Sequence, residues 1–346
     1  MPVTNYATNS QRIGKSLGEV LGHAMHVECL GIAAMNKKMP KNKGNQIVYR
    51  RWLPFGAAST DVNTENRPAA NANAHITIEG VTPAANTLTP VDISVALQQY
   101  ACLYSITDQA YDLHEDDIPA EMKKQVGERM GLVREMVRYG TLKGATNAYY
   151  SGGTSRATVD EAVTLNLLRK IARNLMSNHA KQITEILAPS ENYGTDSVEA
   201  AFLVFVHSDA EADIRDLPKF THVSDYGTRK TVHEMELGTC ERFRFIVSPD
   251  LSAYADAGAA IGTTGLYSTT GTSIDVYPMI VTGEEAWGDV ALRGEGSFDF
   301  SWIPPGQKDT SSPLGMIGYM GAKFYDAAVI LNGGRMAVAE VGVKSL

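Results

Sequence analysis

Residues 39–56 read MPKNKGNQIVYRRWLPFG. A basic turn at Lys41, Lys43 and Gly44 opens into an alternating run, Ile47 to Leu53, that carries the adjacent Arg50 and Arg51. A period of two predicts a β-strand. The chain then enters GAASTDVNTENRPAANANA, residues 56–74, where Val62 is the one large aliphatic residue. A strand that runs into a segment with nothing of its own to bury must find its order elsewhere.

A second alternating run supplies the counterpart. Val91, Ile93, Val95 and Leu97 recur at every second position, and the run continues toward Ile106. Between the two runs lie residues 54–90, with a weaker alternating piece, HITIEG (75–80), and turn signals at Arg67-Pro68, Thr82-Pro83 and Thr89-Pro90. A connection of that length is unusual inside a compact domain. The two runs therefore predict a long hairpin arm that leaves the body and is ordered by something outside it.

Composition limits what the rest can be. The chain has 346 residues, 44% of them hydrophobic and 20% charged, enough for a sizeable core and about two domains. No apolar run approaches the roughly 20 residues of a membrane helix. The N-terminus lacks an apolar signal-peptide core, so a cytoplasmic product is expected. Three cysteines, Cys29, Cys102 and Cys240, lie far apart without a C-x-x-C pair. They predict reduced, buried thiols rather than a disulfide framework or a zinc site.

The formal net charge of −8 argues against a general nucleic-acid binder. Its distribution is uneven. Arg12, Lys15, Lys37, Lys38, Lys41, Lys43, Arg50 and Arg51 against Glu19 and Glu28 give the first 51 residues +6, which leaves −14 on the other 295. Such an arm can bind a polyanion or lie on the acidic surface of a neighbouring copy.

Downstream, Glu115, Asp116, Asp117 and Pro119 mark a helix start. Met122, Val126, Met130, Val133 and Val137 then form one apolar stripe, and Gly144 is a natural stop. A helix of about 25 residues spans roughly 38 Å. Upstream, residues 16–35 read as an arm containing a helix weakened by Gly18, Gly22 and Gly31. Thr164 opens another helix, with Leu168, Ile171, Ala172 and Leu175 on one face. Strands are predicted at 201–208, 242–248 and after the Gly/Thr loop 258–275, with a short helix at 209–217. Phe298, Phe300 and Trp302 alternate, and a C-terminal hairpin is predicted around Asn332-Gly333-Gly334. The fold class is α+β.

No catalytic constellation emerges. His23, His26 and Cys29 recur every third residue, but no fourth ligand stands nearby, and an amphipathic arm is the better reading. Ser151-Gly152-Gly153 lacks the frame of a nucleophile elbow. Neither a phosphate-binding glycine-lysine loop nor a dinucleotide fingerprint is present. Glu284-Glu285 beside Trp287 reads as a solvated loop rather than a sugar site, and His207 as a satisfied strand-end residue.

The order of elements resembles the major capsid proteins of tailed phages with the Hong Kong 97-type fold. MPKNKGNQIVYRRWLP is similar to the P-K-N-x-G-x-x-I-x-[FY]-R-R segment of the capsid family named after podophage N-four. IEGVTPAANTLTPVDISVALQQYACLYSITD resembles that family's E-G-V-T-P…L…D-I…V-x-Q-Y-G-x-Y-x-x-I-[ST]-D stretch, and MELGTCERFRFIVS its G-E-I-G…V-R-F-V-x-S. The resemblance covers most of residues 37–346 and is strongest over 39–108. Ala101-Cys102 stands in place of the usual glycine, Arg242 in place of a small residue, and 56–74 and 251–275 look like local insertions.

The resemblance implies a shell protein without enzymatic activity, cofactor or metal. Its parts would be an N-terminal arm (1–43), an E-loop with flanking strands (44–108), a spine helix with part of the P-domain (109–200), an A-domain (201–295) and C-terminal return strands (296–346). The E-loop would lie over a neighbouring subunit, its legs being Gly44–Leu53 and Val91–Ile106. Lys41, Lys43, Arg50, Arg51, Arg67, Glu79, Glu121, Glu128 and Glu135 become the candidate inter-subunit contacts. Residues 44–122 contain no lysine. A lysine–asparagine crosslink from the E-loop is therefore not expected, and shell stability would be non-covalent or come from a decoration protein. The short arm suggests a separate scaffolding protein. Implied partners are other copies of the chain in hexamers and pentamers, a portal, and enclosed double-stranded DNA held without specificity; no membrane is implied. The product would be made in the host cytoplasm and reside in the virion. An encapsulin-type nanocompartment shell is the alternative reading, and a soluble α+β hydrolase a more distant one.

Overall fold

A computed structural model describes residues 28–346 apart from 41, 43, 54–71, 83, 84, 86, 115, 116, 188–194, 228, 263, 264, 293–298 and 309–311. The chain enters through a 3₁₀ turn at Leu30–Ala33 and strand β1 (Met35–Met39). The helix expected over 16–35 therefore falls mostly outside the described residues, and its last part is a turn and a strand.

The two alternating runs pair. Strands β2 (Gln46–Trp52) and β3 (Pro90–Ala96) form an antiparallel ribbon, in register from Gln46 opposite Ala96 to Trp52 opposite Pro90. The second run is not one strand, however. It breaks at Leu97, and β4 (Gln98–Thr107) joins a different sheet. HITIEG is not a strand; it begins at the last residue of a 3₁₀ turn, Ala72–His75, and ends in a turn.

Helix α1 (Asp108–Leu113) leads to α2 (Ile118–Leu142). The Asp117 carboxylate caps α2, accepting the Ala120 N–H at 3.2 Å, and Pro119 sits in the first turn, where its missing N–H costs nothing. Met122, Val126 and Met130 face the core as expected. Val133 and Val137 are only half-buried, because the buried stripe swings to Glu135, Arg138, Tyr139 and Leu142. The first half of α2 packs on one sheet, with Ile106, Met320 and Phe324. Its last turns are instead enclosed by Cys29, Leu30, Leu203, Phe205 and Trp287. That second enclosure selects a different face.

The rest of the chain supplies β5 (Ala148–Tyr150), α3 (Leu165–Ser177), β6 (Ile183–Leu187), β7 (Thr195–His207), α4 (Glu211–Arg215), β8 (Phe220–His222), β9 (Glu236–Cys240) and β10 (Phe243–Ser248). Strands β11 (Tyr277–Thr282), β12 (Trp287–Leu292), β13 (Asp299–Ile303), β14 (Ile317–Ile330) and β15 (Met336–Val341) complete it. Thr164 caps α3 by accepting the Leu167 N–H at 3.3 Å.

One sheet runs β5-β15-β11-β7-β10-β9-β8, with β6 also on β7. Its centre is wholly apolar over 202–206, which suits a strand covered on both faces. On the face packed with α3, Phe202 and Val204 join Leu168 and Ile171 of the helix in one core. The other sheet is organised by β14. Asp326 lies opposite Gln98 of β4 and also opposite Ala291 of β12, so β4 and β12 flank β14 on opposite sides. Lys323 likewise lies between Ala101 of β4 and Asp299 of β13, which places β13 on the same side as β12. Strand β1 runs parallel to β12.

The predicted C-terminal hairpin is absent: β14 and β15 belong to different sheets. Asn332 Oδ1 accepts the Gly334 N–H at 3.1 Å, and a 3₁₀ turn at Gly333–Arg335 follows. This hands the chain from one sheet to the other instead of folding it back.

Candidate functional site

Two places gather charged side chains, one on the hairpin ribbon and one beneath it. In β2 alternate residues face opposite ways. Tyr49 and its partner strand's Val95 point inward and pack with Met39, Val290 and Leu331, which seats the ribbon root on the body. Arg50 points outward. Its Nε and Nη2 donate to Oδ1 and Oδ2 of the directly opposed Asp92, both at 2.7 Å. This two-pronged contact holds the Asp92 carboxyl below its usual range and raises the Arg50 guanidinium.

Arg51 returns to the inner side. It is half-buried, its Nη1 donates to the Leu331 carbonyl at 3.4 Å, and it borders a cavity of about 210 Å³ with Tyr49, Glu285 and Arg335. Burial, and then the neighbouring Arg335, lower the Arg51 pKa. Arg335 donates to Glu285 at 2.8 Å, so the cavity is bordered by an ion pair as well as by Arg51. Trp287, next to these acids in sequence, is fully buried and offers no face to a sugar. Beyond the ribbon, Ile76, Ile78, Val81 and Leu88 are 60–77% exposed, and Glu79 stands among them in the turn before Gly80.

The remaining candidates divide. Lys41, Lys43 and Arg67 lie outside the described residues. Glu121, in the first turn of α2, accepts from Gln125 at 3.2 Å, and Glu128 is partly buried. Glu135 is a correction. It is completely buried, and its Oε1 accepts the backbone N–H groups of Cys29 at 2.8 Å and Leu30 at 2.7 Å. Its partners are within its own chain, so a neighbouring copy has no access to it. The physical reason is the second enclosure of α2, which turns this acid inward to satisfy the start of the 3₁₀ turn.

Around Glu135 lies a cluster that sequence reading missed. Arg138, one turn on, donates Nε at 3.1 Å and Nη2 at 2.6 Å to one oxygen, Oδ2 of Asp289 on β12, and approaches Glu135 at 3.4 Å. Burial alone would lower the Arg138 pKa, yet Asp289 and Glu135 raise it on balance. Arg134 Nε stands 3.4 Å from Asp326 of β14. The available signal was a single Asp inside each of two apolar strands, WGDVAL and FYDAAVI. A buried charge needs partners, and these came from Arg134 and Arg138, helix positions beside the apolar stripe rather than in it.

All three cysteines are buried and unpaired, and burial raises each thiol. Of the His23, His26 and Cys29 set, the two histidines lie outside the described residues. Among the described residues no group of three His, Cys, Asp or Glu is placed to hold a metal, and no helix is long and apolar enough to cross a membrane. His207 accepts the Asp209 N–H at its Nδ1, 3.1 Å, and packs on Tyr277.

No family model matches the chain. It is 23% identical over 329 residues to the major capsid protein of Pseudomonas phage KPP21, spanning 83% of this chain and 81% of that protein. The capsid of Ralstonia phage GP4 superposes with a TM-score of 0.62 over 98% of each chain at 11% identity. The head of Helicobacter pylori bacteriophage KHP40 gives 0.61 over 99% of this chain and 98% of that one, also at 11%. With its long helix laid on one sheet, its second large sheet and its protruding ribbon, the chain has the Hong Kong 97-type fold of tailed-phage capsid proteins.

Proposed function

We infer that this chain is the major capsid protein of a tailed phage, many copies of which form the icosahedral head shell. The observation that carries the reading is the hairpin region. Its root is seated on the body, while Ile76, Ile78, Val81 and Leu88 lie largely in water in the single chain. Apolar surface of that kind on an extended arm is stabilised by covering it, and a neighbouring copy is the partner the fold supplies.

In this reading the arm is the E-loop, and α2 is the spine helix. Lys41, Lys43, Arg50, Arg51, Arg67, Glu79, Glu121 and Glu128 are its contact candidates between copies. The motifs of 39–108 support a place near the N-four capsid family. The protein acts without catalysis, is made in the host cytoplasm and resides in the virion. Scaffolding and portal proteins assist it, and double-stranded DNA fills the shell. With no lysine in 44–122, the arm forms no isopeptide bond.

Negative-stain electron microscopy and sedimentation velocity on one purified sample test this. Closed shells, tubes or capsomer rings are expected. A monodisperse monomer or dimer that stays unassembled with scaffold co-expressed would overturn the reading.

A further inference from the structure

Asp289 and Asp326 are diagonal neighbours across β12 and β14. Asp289 lies opposite Ala328 and Asp326 opposite Ala291, so both carboxyls project from the same face of the sheet. Both are buried, Asp289 at 6% and Asp326 at 1% exposure. The hydrogen bonds leave one oxygen on each without a partner. Arg138 donates twice to Asp289 Oδ2, which leaves Oδ1. The Ala327 N–H donates to Asp326 Oδ1 at 3.0 Å, which leaves Oδ2, near Arg134 but outside hydrogen-bonding geometry. Buried carboxylate oxygens are rarely left unsatisfied.

The charges point the same way. Three carboxylates, Glu135, Asp289 and Asp326, share this region with two guanidiniums, Arg134 and Arg138. Among the described residues, the other titratable groups set against them are the Cys29 thiol, against Glu135, the Tyr49 hydroxyl, beside Asp289, and the Tyr100 hydroxyl, beside Asp326. All three are neutral below about pH 8 when their pKa values are raised by burial. With every acid ionised, the described members of the cluster carry a net charge of −1. One added proton both removes that charge and joins the two orphan oxygens.

We propose that Asp326 carries a proton in the folded chain below neutral pH and donates it to Oδ1 of Asp289, making this pair a proton-binding site that fastens α2 and the N-terminal segment to the sheet. The proton comes from solvent and returns to it. Burial, then the neighbouring Asp289, push Asp326 up to about 7, which agrees with the geometry. The link to the N-terminal segment is short and non-covalent. Arg138 touches Asp289 and Glu135 together, and Glu135 holds the Cys29 and Leu30 N–H groups. When the proton leaves, Arg138 is drawn toward two carboxylates on the sheet, and its contact with Glu135 weakens.

The folded chain holds this proton more tightly than the unfolded chain, so the stabilisation is complete below about pH 4 and is lost as pH rises to about 7. The test compares the full-length chain with Asp326→Asn, which keeps the shape and remains neutral. Between about pH 5 and pH 8.5 the wild-type melting temperature is expected to fall by roughly 4–8 °C more than that of the variant. At the higher pH, amide exchange over residues 29–33 is expected to be several-fold slower in the variant; at the lower pH the two agree. Parallel melting curves and equal exchange at both pH values would overturn the proposal. Should the variant not fold, infrared spectra of wild-type protein with ¹³C-labelled aspartate decide. A protonated-carboxyl band at about pH 5 that disappears by about pH 8.5 supports the site, and its absence at the lower pH refutes it.

Discussion

Arginine meets aspartate twice in this molecule, with different geometry and opposite consequences. On the ribbon, Arg50 and Asp92 meet prong to prong, with 57% and 42% of their side chains in water. Under α2, Arg138 gives two donors to a single oxygen of Asp289, with 10% and 8% exposed. The exposed pair has the better geometry and the smaller consequence, because water screens it and either ion is solvated when the other is removed. The buried pair is less well matched but harder to break, since removing one ion strands the other in a medium that cannot solvate it. Burial, more than hydrogen-bond geometry, decides what an ion pair does for the fold.

The largest expected effect follows directly. Arg138→Met keeps much of the packing volume and removes the charge, leaving Asp289 and Glu135 uncompensated. We expect a loss of about 3–5 kcal/mol in unfolding free energy, read from urea titrations of the full-length chain. A loss below about 1 kcal/mol would mean that the buried pair behaves like a surface one, and the comparison would fail. Next comes Met130→Ala, in the apolar half of the same helix. Met130 is fully buried against the sheet, so about 2–4 kcal/mol is expected. If this change proves the costlier of the two, apolar packing and not the ion cluster dominates α2.

The two aspartates also respond to pH with opposite sign. Asp326 is held above its ordinary range by burial and by Asp289, so its contribution is lost as pH rises toward about 7. Asp92 is held below its range by Arg50, so its contribution persists at neutral pH and is lost only as pH falls below the ordinary carboxylate range. Added salt should erode the Asp92 effect and leave the Asp326 effect nearly intact, because screening reaches exposed charges far more than buried ones.

What could be read from the sequence follows the same division. Period two over 47–53 and 91–97 was enough to pair β2 with β3, because one face of each strand is apolar and register is set by that face. The capping residues and apolar repeat gave α2 and α3 their ends. Where a second partner decided, sequence fell short. The stripe of α2 could not reveal that its last turns are enclosed by residues 29–33 and Trp287, more than a hundred positions away on either side. Glu135 therefore read as a surface acid. Asn332-Gly333-Gly334 has the composition of a hairpin turn, yet its flanking strands find better partners in two different sheets. The Asp289–Asp326 pair depends on the register of β12 against β14, which no local pattern encodes.

The smallest effect on the folded chain is the most informative about assembly. Arg50 and Asp92 both project from the ribbon, directly opposed, and neither touches the core. Arg50→Ala should lower the melting temperature of the unassembled chain far less than Arg138→Met does, because water screens the exposed pair. If the ribbon lies on a neighbouring copy, the same change removes a positioned cation from every such contact in the shell. Small terms repeated around a closed lattice act together. The yield of closed particles, measured by sedimentation at matched protein concentration, should then fall while the chain itself remains folded. Asp92→Ala frees Arg50 without removing it, so it separates two roles. If Arg50 binds a neighbour's acid, the Asp92 variant assembles as well as wild type or better; if the fork only stiffens the ribbon, both variants lose particles alike. A drop in the melting temperature of the isolated chain as large as that of Arg138→Met, in either variant, would place the fork in the fold rather than in the assembly.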